Sequence, residues 1–339
     1  MKALLCVEPG RLELVDRPAP PAPGPGEAAI DIRHVGICGT DYHIYGGKHP
    51  FLAYPRVMGH ELSGVVAEAG EGVAIAPGTP VVINPYLSCG HCVACRAGKP
   101  NCCTSITVLG VHGDGGMTER IVLPAANLYP AEGLSLRDAA TVEFLAIGAH
   151  AIRRSRAEPG TRALVVGVGP IGLGAAIFAR IAGLDVTLLD SSAERLAFAR
   201  DTLGFAAGFS TGPDAEARLM AHTGGEGFET VFDATGNAKA IEAGFALVAH
   251  GGSYVLISIV KDRISFADPE FHKREMTLIG SRNALGQDFE HVMASIRAGK
   301  VPIDALATHE TTLEGAVEDL PRWAEAKDGL IKAIITVGG

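Results

Sequence analysis

A thiol, an imidazole and a carboxylate stand close together near the amino-terminal end of the chain. Cys38 opens the run Cys38–His43, and His60 and Glu61 follow a glycine. Zinc binds Cys sulfur, His nitrogen and Asp or Glu oxygen, and catalytic zinc sites combine three protein ligands with one open position. Cys38, His60 and one carboxylate meet that count, so we predict a zinc site that does chemistry. The alternative is a buried cysteine, a core histidine and a surface glutamate without a common role.

Four cysteines in a short stretch indicate a second metal site. Cys89, Cys92, Cys95 and Cys103 form a C-x2-C-x2-C-x7-C array. Four thiolates at this spacing can surround one zinc ion tetrahedrally. Such a site has no open position, so we predict that it is structural and holds a loop in place. An iron–sulfur cluster is the competing occupant of the same thiols.

A glycine-rich turn links a predicted strand, Arg162–Gly167, to a predicted helix over residues 173–182. The three glycines of this G-x-G-x-x-G turn permit a tight bend, close approach of a pyrophosphate and close helix–strand packing, and the helix N-terminus attracts phosphates. We therefore predict a dinucleotide site. Its candidate residues are Gly167, Gly169, Pro170, Ile171, Gly172, Asp190, Arg195, Thr235, Ile257 and Ser281.

Asp190 ends the next predicted strand and favours NAD over NADP. A carboxylate at this place binds the two ribose hydroxyls of NAD and repels the 2′-phosphate of NADP. Ser191 and Ser192 follow it, rather than an arginine that would attract that phosphate. Arg195 lies far enough along the chain to approach the adenine instead.

The composition favours a small-molecule partner. The chain has 339 residues, which suits two domains, and a net charge of −9 without a local Lys/Arg cluster, which argues against nucleic acid. Its apolar runs are shorter than the ~18 residues of a transmembrane helix, and its first residues lack a signal-peptide pattern. Because four of the seven cysteines form the array described above, metal is favoured over disulfides. We expect a cytoplasmic protein that binds neither nucleic acid nor membrane.

Hydrophobic patterns divide the chain into two fold types. Up to about residue 128, short alternating runs separated by Gly and Pro predict a β-rich, barrel-like domain. From about residue 139 to about residue 284, strand and helix patterns alternate, which predicts a doubly wound parallel sheet with a helix over 238–249. The final run Ile331–Val337 is predicted to rejoin the first domain. The strands predicted in the first domain are Leu12–Val15, Ala28–Arg33, Gly64–Ala69 and Val81–Asn84.

These motifs, in this order, resemble the zinc-dependent medium-chain dehydrogenase (alcohol and polyol dehydrogenase) family over essentially the whole chain. The resemblance implies an α/β protein with a GroES-like β-rich catalytic domain, residues 1–149 and 285–339, and a Rossmann NAD-binding domain, residues 150–284. It implies an NAD-dependent oxidoreductase that acts on CH–OH groups, with one catalytic and one structural zinc per chain. It also implies a homodimer or homotetramer.

The resemblance suggests roles for residues around the first zinc site. The run Thr141-Val-Glu143-Phe-Leu resembles the Glu-Pro-Leu motif of polyol and threonine dehydrogenases, so Glu143 is a candidate ligand that exchanges with water. Phe144 replaces the usual proline there. Glu61 either binds zinc directly or lies just behind the ligands. Thr40 is expected to bond the reacting oxygen and His43 to pass its proton to solvent; the alternative for His43 is a loop histidine without a role.

The segments 110–116, 268–275 and 280–283 resemble the branch that oxidises sugar acids, the L-galactonate and L-gulonate 5-dehydrogenases. A substrate carboxylate needs a cation or convergent donors. Arg282 is the first candidate, unless it contacts the cofactor; Lys48, His49, His112 and Lys273 are the others, and all of these are alternatively solvated surface charges. A sorbitol-like polyol dehydrogenase and an L-threonine 3-dehydrogenase remain alternatives, as does a non-catalytic NAD-binding descendant.

Overall fold

The computed structural model describes residues 1–48, 52–325 and 329–338. The chain forms two compact units, residues 1–144 with 285–339 and residues 145–284. The first break falls inside the helix Val142–Ser155. This break between compact units lies at 144/145, whereas the domain boundary predicted from the sequence lies at 149/150.

The first unit is built on a sheet whose central strand is Glu27–Ile37. Fully buried side chains of this strand, among them Ile30, Ile32 and Val35, form part of the core. Its carboxyl end leads directly into Cys38 and the helix Gly39–Tyr45. In spatial order the sheet contains Leu128–Pro130, Pro80–Ile83, Glu61–Ala69, Glu27–Ile37, Lys332–Thr336 and Ala307–Thr312, with Arg120–Pro124 also paired to the central strand.

Smaller elements surround this sheet. A second sheet contains Arg11–Asp16, Lys2–Glu8 and Arg56–Val57, and a third contains Tyr86–Leu87 and Thr107–Val108. The other helices of this unit are Val93–Arg96, Leu136–Ala139, Gly286–Arg297, Ile303–Leu306 and Ala316–Glu325, with 3-10 turns at Pro100–Cys102 and Ala125–Asn127. The strand Lys332–Thr336 pairs with Glu27–Ile37, so the end of the chain does rejoin the first unit.

The second unit is a parallel sheet with its first strand in the middle, so the chain winds outward in both directions. In spatial order the strands are Ala207–Ser210, Asp185–Asp190, Arg162–Val166, Phe228–Asp233, Val248–Leu256 and Thr277–Gly280. Its helices are Pro170–Ile181, Ala193–Asp201, Ala215–His222, Ala238–Gly244 and Asp268–Lys273, with a 3-10 turn at Phe245–Leu247.

One predicted helix is too long. The helix predicted over 238–249 ends at Gly244, and Val248 already pairs with Phe228 of the neighbouring strand. The run Phe245–Ala249 carries no polar or helix-breaking residue. Strand pairing therefore overrides a local pattern that is compatible with a helix.

Candidate active site

The structure brings Cys38, His60 and Glu61 together. Cys38 follows the central strand, and Glu61 begins the neighbouring strand, where it pairs with Gly36. The ligand atoms of the three side chains lie within 4.8 Å of one another. His60 and Glu61 are buried and Cys38 is half-buried. Antiparallel pairing therefore joins two segments that are distant in sequence.

Asp41 ties the two segments together, and the sequence analysis gave it no role. Its carboxylate accepts hydrogen bonds from the backbone N–H of Cys38 at 2.8 Å and of Gly59 at 3.2 Å. One carboxylate oxygen also lies 3.9 Å from Nδ1 of His60. Burial raises the pKa of the Asp41 carboxyl above its ordinary value. The available signal was the position of Asp41 in the first turn after Cys38, where an acidic side chain caps a helix.

Lys332 is a second residue that sequence reasoning missed. Its ammonium donates hydrogen bonds to both carboxylate oxygens of Glu61, at 2.7 and 2.8 Å. Both side chains are buried. A lysine inside the apolar run Ile331–Val337 was the signal, because an unpaired buried ammonium is unfavourable.

Glu143 lies in the first turn of the helix Val142–Ser155 and is buried. Its Oε1 accepts a hydrogen bond from the Tyr86 hydroxyl. Burial raises the pKa of Glu143 to about 7. Glu143 does not belong to the group of three ligand atoms described above. Phe144, which stands where the resemblance leads one to expect proline, is buried with its ring 4.3 Å from the Lys332 ammonium.

Thr40 and His43 lie on the helix Gly39–Tyr45, three residues apart and thus on one face. Oγ1 of Thr40 is 3.8 Å from Sγ of Cys38. Thr40 is half-buried, whereas His43 is exposed. Thr40 therefore lies next to the thiol of Cys38, and His43 lies at the surface on the same face of the helix.

The residues of this site fit zinc. Thiol, imidazole and carboxylate are the donors that zinc takes in proteins. Within the described part of the chain, Nδ1 of His60 is buried without a hydrogen bond. A buried ring nitrogen without a hydrogen-bond partner is consistent with a nitrogen that binds a metal ion.

The four cysteines at 89, 92, 95 and 103 also come together, with their sulfur atoms within 4.8 Å of one another. Backbone N–H groups of Cys89 and Cys92 point at sulfur atoms of the cluster, at 3.3 and 3.4 Å. Hydrogen bonds from the backbone, with that of Cys95 the largest contribution, lower the pKa of Cys92 to about 5. Burial raises the pKa of Cys95 to about 11, so the close approach of the four sulfur atoms, rather than their pKa values, is what fits a tetrahedral metal site. Cys102 is exposed and outside the cluster.

In the second unit, Asp190 is buried at the end of its strand and shapes the glycine turn. Its two oxygens accept hydrogen bonds from the backbone N–H of Val168, at 2.5 Å, and of Ser192, at 2.7 Å. Gly167 has a φ of 88°, and Gly172 lies so close to the Gly167 carbonyl that no side chain fits between them. The helix Pro170–Ile181 begins directly after this turn.

The other predicted cofactor residues lie around the same edge of the parallel sheet. Thr235 follows the strand Phe228–Asp233, Ile257 follows Val248–Leu256, and Ser281 follows Thr277–Gly280. Thr235 donates its hydroxyl hydrogen to Asp233 at 2.9 Å. Arg195 lies beside the glycine turn, with Nη1 3.8 Å from the place that a Cβ of Gly169 would occupy. Ligands of such sheets bind at the carboxyl ends of the strands.

The predicted substrate cations are exposed and lie in both units. Lys48 and His112 belong to the first, and Arg282 belongs to the second. Nδ1 of His112 accepts a hydrogen bond from the backbone N–H of Val108 at 3.0 Å. Lys273 pairs with Glu270 at 3.5 Å. His49 lies outside the described residues.

Two family models match the chain in the predicted order. The alcohol dehydrogenase GroES-like domain matches residues 24–133, and the zinc-binding dehydrogenase model matches residues 170–298. L-galactonate-5-dehydrogenase from Escherichia coli (strain K12) is 42% identical over 337 residues, which cover 99% of each chain. The chain belongs to the zinc-binding alcohol dehydrogenase family. This membership confirms the predicted family, the α/β fold with GroES-like and Rossmann domains, and the enzyme class.

Other members of the family differ in their named substrates. D-altritol 5-dehydrogenase from Agrobacterium fabrum (strain C58) is 33% identical over 321 residues, covering 92% of this chain and 93% of that one. A crystal structure described as a short chain alcohol dehydrogenase (rspB) from E. coli CFT073, complexed with cofactor NADH, has a TM-score of 0.93 and 29% identity and covers 99% of both chains.

As a zinc-binding alcohol dehydrogenase, the protein is an oxidoreductase that acts on a CH–OH group of a small molecule, and zinc and NAD(H) are its expected cofactors. In the described ranges, none of the helices combines the length and the apolar character that crossing a membrane requires.

Proposed function

We propose that this dehydrogenase oxidises a secondary hydroxyl of a sugar acid of the L-galactonate or L-gulonate type and transfers the hydride to NAD. The observation that carries the proposal is the 42% identity to L-galactonate-5-dehydrogenase, which extends over 99% of both chains. A likeness of that extent includes both the metal-site segments and the dinucleotide unit.

The chemistry that bound zinc supplies is Lewis-acid polarisation of the substrate hydroxyl, while NAD accepts the hydride. We assign Cys38, His60 and a carboxylate, Glu61 or Glu143, as the protein ligands. Asp41 orients Cys38 and His60, since it accepts hydrogen bonds from both segments.

The proton of the substrate hydroxyl leaves through Thr40 and His43 in this proposal. Oγ1 of Thr40 lies 3.8 Å from the Cys38 sulfur, which supports its role as the acceptor of the hydrogen bond from a substrate hydroxyl bound beside Cys38. The exposure of His43, one turn further along the same helix, supports its role as the group that exchanges protons with water.

A sugar acid brings a carboxylate, which needs a cation. Arg282 is our first candidate because guanidinium binds carboxylates through two parallel hydrogen bonds. Lys48 and His112 are the further candidates. All three are exposed, which leaves their side chains accessible to a substrate.

The test is NADH formation with L-galactonate, L-gulonate, other aldonates, sorbitol, galactitol and L-threonine. We expect aldonates to exceed the matching polyols in kcat/KM by at least about tenfold, which corresponds to about 1.4 kcal/mol of transition-state binding. Arg282→Met should raise KM for the aldonate and leave KM for a polyol unchanged. Equal kcat/KM for an aldonate and its polyol would contradict the sugar-acid proposal.

A polyol substrate is the second candidate, and the similarity to D-altritol 5-dehydrogenase favours it. In that case sorbitol, galactitol or altritol would exceed the aldonates, and Arg282→Met would affect all substrates equally. The metal and cofactor assignments are common to both candidates.

We further propose a cytoplasmic homodimer or homotetramer. The clustered cysteines support a reducing compartment, because thiolates that hold a metal must stay reduced. The oligomeric state is proposed from family resemblance, and light scattering after size-exclusion chromatography tests it. A monomer at micromolar concentration would contradict it.

A further inference from the structure

Asp233 is the last residue of the strand Phe228–Asp233 in the second unit, and its side chain is fully buried. Burial raises the pKa of its carboxyl above the ordinary value. The groups that favour its charged form are the backbone and the hydroxyl of Thr235, rather than a cation. Because a buried charge without a counter-ion is costly, a carboxylate at this place requires a specific role.

The Asp233 carboxylate holds Thr235 by three contacts. Its Oδ1 accepts hydrogen bonds from the backbone N–H of Thr235 at 3.0 Å and from the hydroxyl at 2.9 Å, and its Oδ2 lies 3.1 Å from the same hydroxyl. The hydroxyl oxygen in turn accepts the backbone N–H of Asn237 at 3.1 Å. A hydroxyl has a single hydrogen to donate. Since that hydrogen goes to Asp233, the orientation of the Thr235 side chain is fixed.

The fixed side chain of Thr235 packs against the glycine turn. A Cβ at Gly167 would lie 3.0 Å from Cγ2 of Thr235 and 3.1 Å from the backbone carbonyl carbon of Ala234. The backbone N–H of Ala234 also donates to the carbonyl oxygen of Val166 at 2.8 Å, directly before the turn. The segment 234–237 therefore lies directly against the turn that we predict to bind the pyrophosphate.

Thr235 and Asp190 lie at the ends of strands that pair with opposite sides of the strand Arg162–Val166. A dinucleotide crosses a doubly wound sheet at the point where the chain winds outward in both directions, so its two halves meet different strands. Asp190 is assigned to the adenosine ribose. This assignment leaves Thr235 on the side of the nicotinamide half.

We propose that Asp233 is a positioning residue for the dinucleotide cofactor, because it fixes Thr235 and the segment 234–237 where the nicotinamide half of the cofactor binds. Asp233 is buried, so it acts through Thr235 and not by contact with the cofactor. This inference rests on NAD as the hydride acceptor of the function proposed above, and it does not depend on which alcohol is oxidised.

The test is calorimetric titration of the protein with NADH and with AMP, without an alcohol substrate. AMP carries the adenosine half of the cofactor and lacks the nicotinamide half. Asp233→Ala and Thr235→Val remove the hydrogen bond between the two side chains, whereas Asp233→Asn and Thr235→Ser keep an acceptor or the hydroxyl. The control is Asp201→Asn, which changes an exposed carboxylate of the same unit that pairs with Arg200.

We expect Asp233→Ala and Thr235→Val each to raise the Kd of NADH by about tenfold, the effect of losing one hydrogen bond to a charged group. The Kd of AMP should stay the same. Asp233→Asn and Thr235→Ser should bind NADH more tightly than the variants that lose the bond. Because both residues act through one hydrogen bond, the double variant Asp233→Ala/Thr235→Val should bind NADH no more weakly than the weaker single variant.

An unchanged Kd of NADH in Asp233→Ala would overturn the proposal. Equal losses of NADH and AMP affinity would also overturn it, since Asp233 would then serve the folding of the whole unit. If Asp233→Ala does not fold, the comparison of Thr235→Val with Thr235→Ser decides, and equal Kd values for NADH would count against the proposal. Failure of the unmodified protein to bind NADH would contradict the proposed function as well, whereas the other outcomes bear on Asp233 alone.

Discussion

The Tyr86 hydroxyl donates a hydrogen bond to Oε1 of Glu143, and both side chains are buried. The ring of Tyr86 also meets that of Phe289 edge to face, with centroids 6.4 Å apart. The phenol therefore holds the Glu143 carboxylate from a fixed place in the core. Its bond favours the ionised carboxylate, whereas burial opposes ionisation.

Tyr86→Phe should destabilise the metal-free protein by about 1–3 kcal/mol, because it leaves a buried carboxylate oxygen without its donor. Urea denaturation of the metal-free protein measures the change. The control is Tyr45→Phe, which removes an exposed hydrogen bond to the carbonyl of Gly10. Equal stability of the two variants would contradict the prediction.

Asp41→Asn should weaken metal binding at the Cys38–His60 site. An amide keeps only one acceptor oxygen, whereas the carboxylate accepts from two backbone N–H groups with its two oxygens. We expect a loss of about 10–100-fold in zinc affinity or turnover. Zinc content after dialysis against a weak chelator measures it. Asp31→Asn, which affects the half-buried pair with Arg120, is the control and should keep its zinc.

Cys95→Ser should release the metal of the four-cysteine cluster and lower the melting temperature. The loop holds short elements, Val93–Arg96 and Pro100–Cys102, which depend on the cluster for their arrangement. The matched control is Cys102→Ser, because Cys102 is exposed and outside the cluster. Zinc content and the melting temperature from calorimetry should both fall in Cys95→Ser and stay unchanged in Cys102→Ser. Loss of zinc in Cys102→Ser instead would reassign the ligands.

Asp190→Ser should shift cofactor preference from NAD toward NADP. The loss of a charged hydrogen bond to ribose costs about 1.5–3 kcal/mol, or roughly 10–100-fold in kcat/KM for NAD. The same change removes repulsion of the 2′-phosphate. Because Asp190 also holds Val168, the measured quantity is the ratio of kcat/KM for the two cofactors, in which a common loss cancels. An unchanged ratio would argue against Asp190 as the residue that selects the cofactor. Asp201→Ser is the control, because Asp201 is exposed.

Most of the fold could be predicted from local sequence patterns. Alternation predicted the strands around Ile30 and Val66, and the glycine turn predicted the order strand, turn and helix around Gly167. Local patterns could not predict that the helix ends at Gly244, because the pairing of Val248 with Phe228 of another strand determines this end. Metal-ligand chemistry singled out Cys38 and His60 by residue type. The roles of Asp41 and Lys332 depend on hydrogen bonds that only the assembled sheet creates.

The pair Glu61–Lys332 also has a consequence for how the protein forms. The two residues are 271 positions apart in the chain, and the strand that carries Lys332 lies near the carboxyl end. During synthesis, Glu61 and its sheet neighbours emerge long before Lys332, the lysine that pairs with Glu61. Until the strand Lys332–Thr336 has been made, the first unit cannot bury Glu61 together with its counter-ion. We therefore expect the pairing of this strand with Glu27–Ile37 to be a late step in the folding of the first unit.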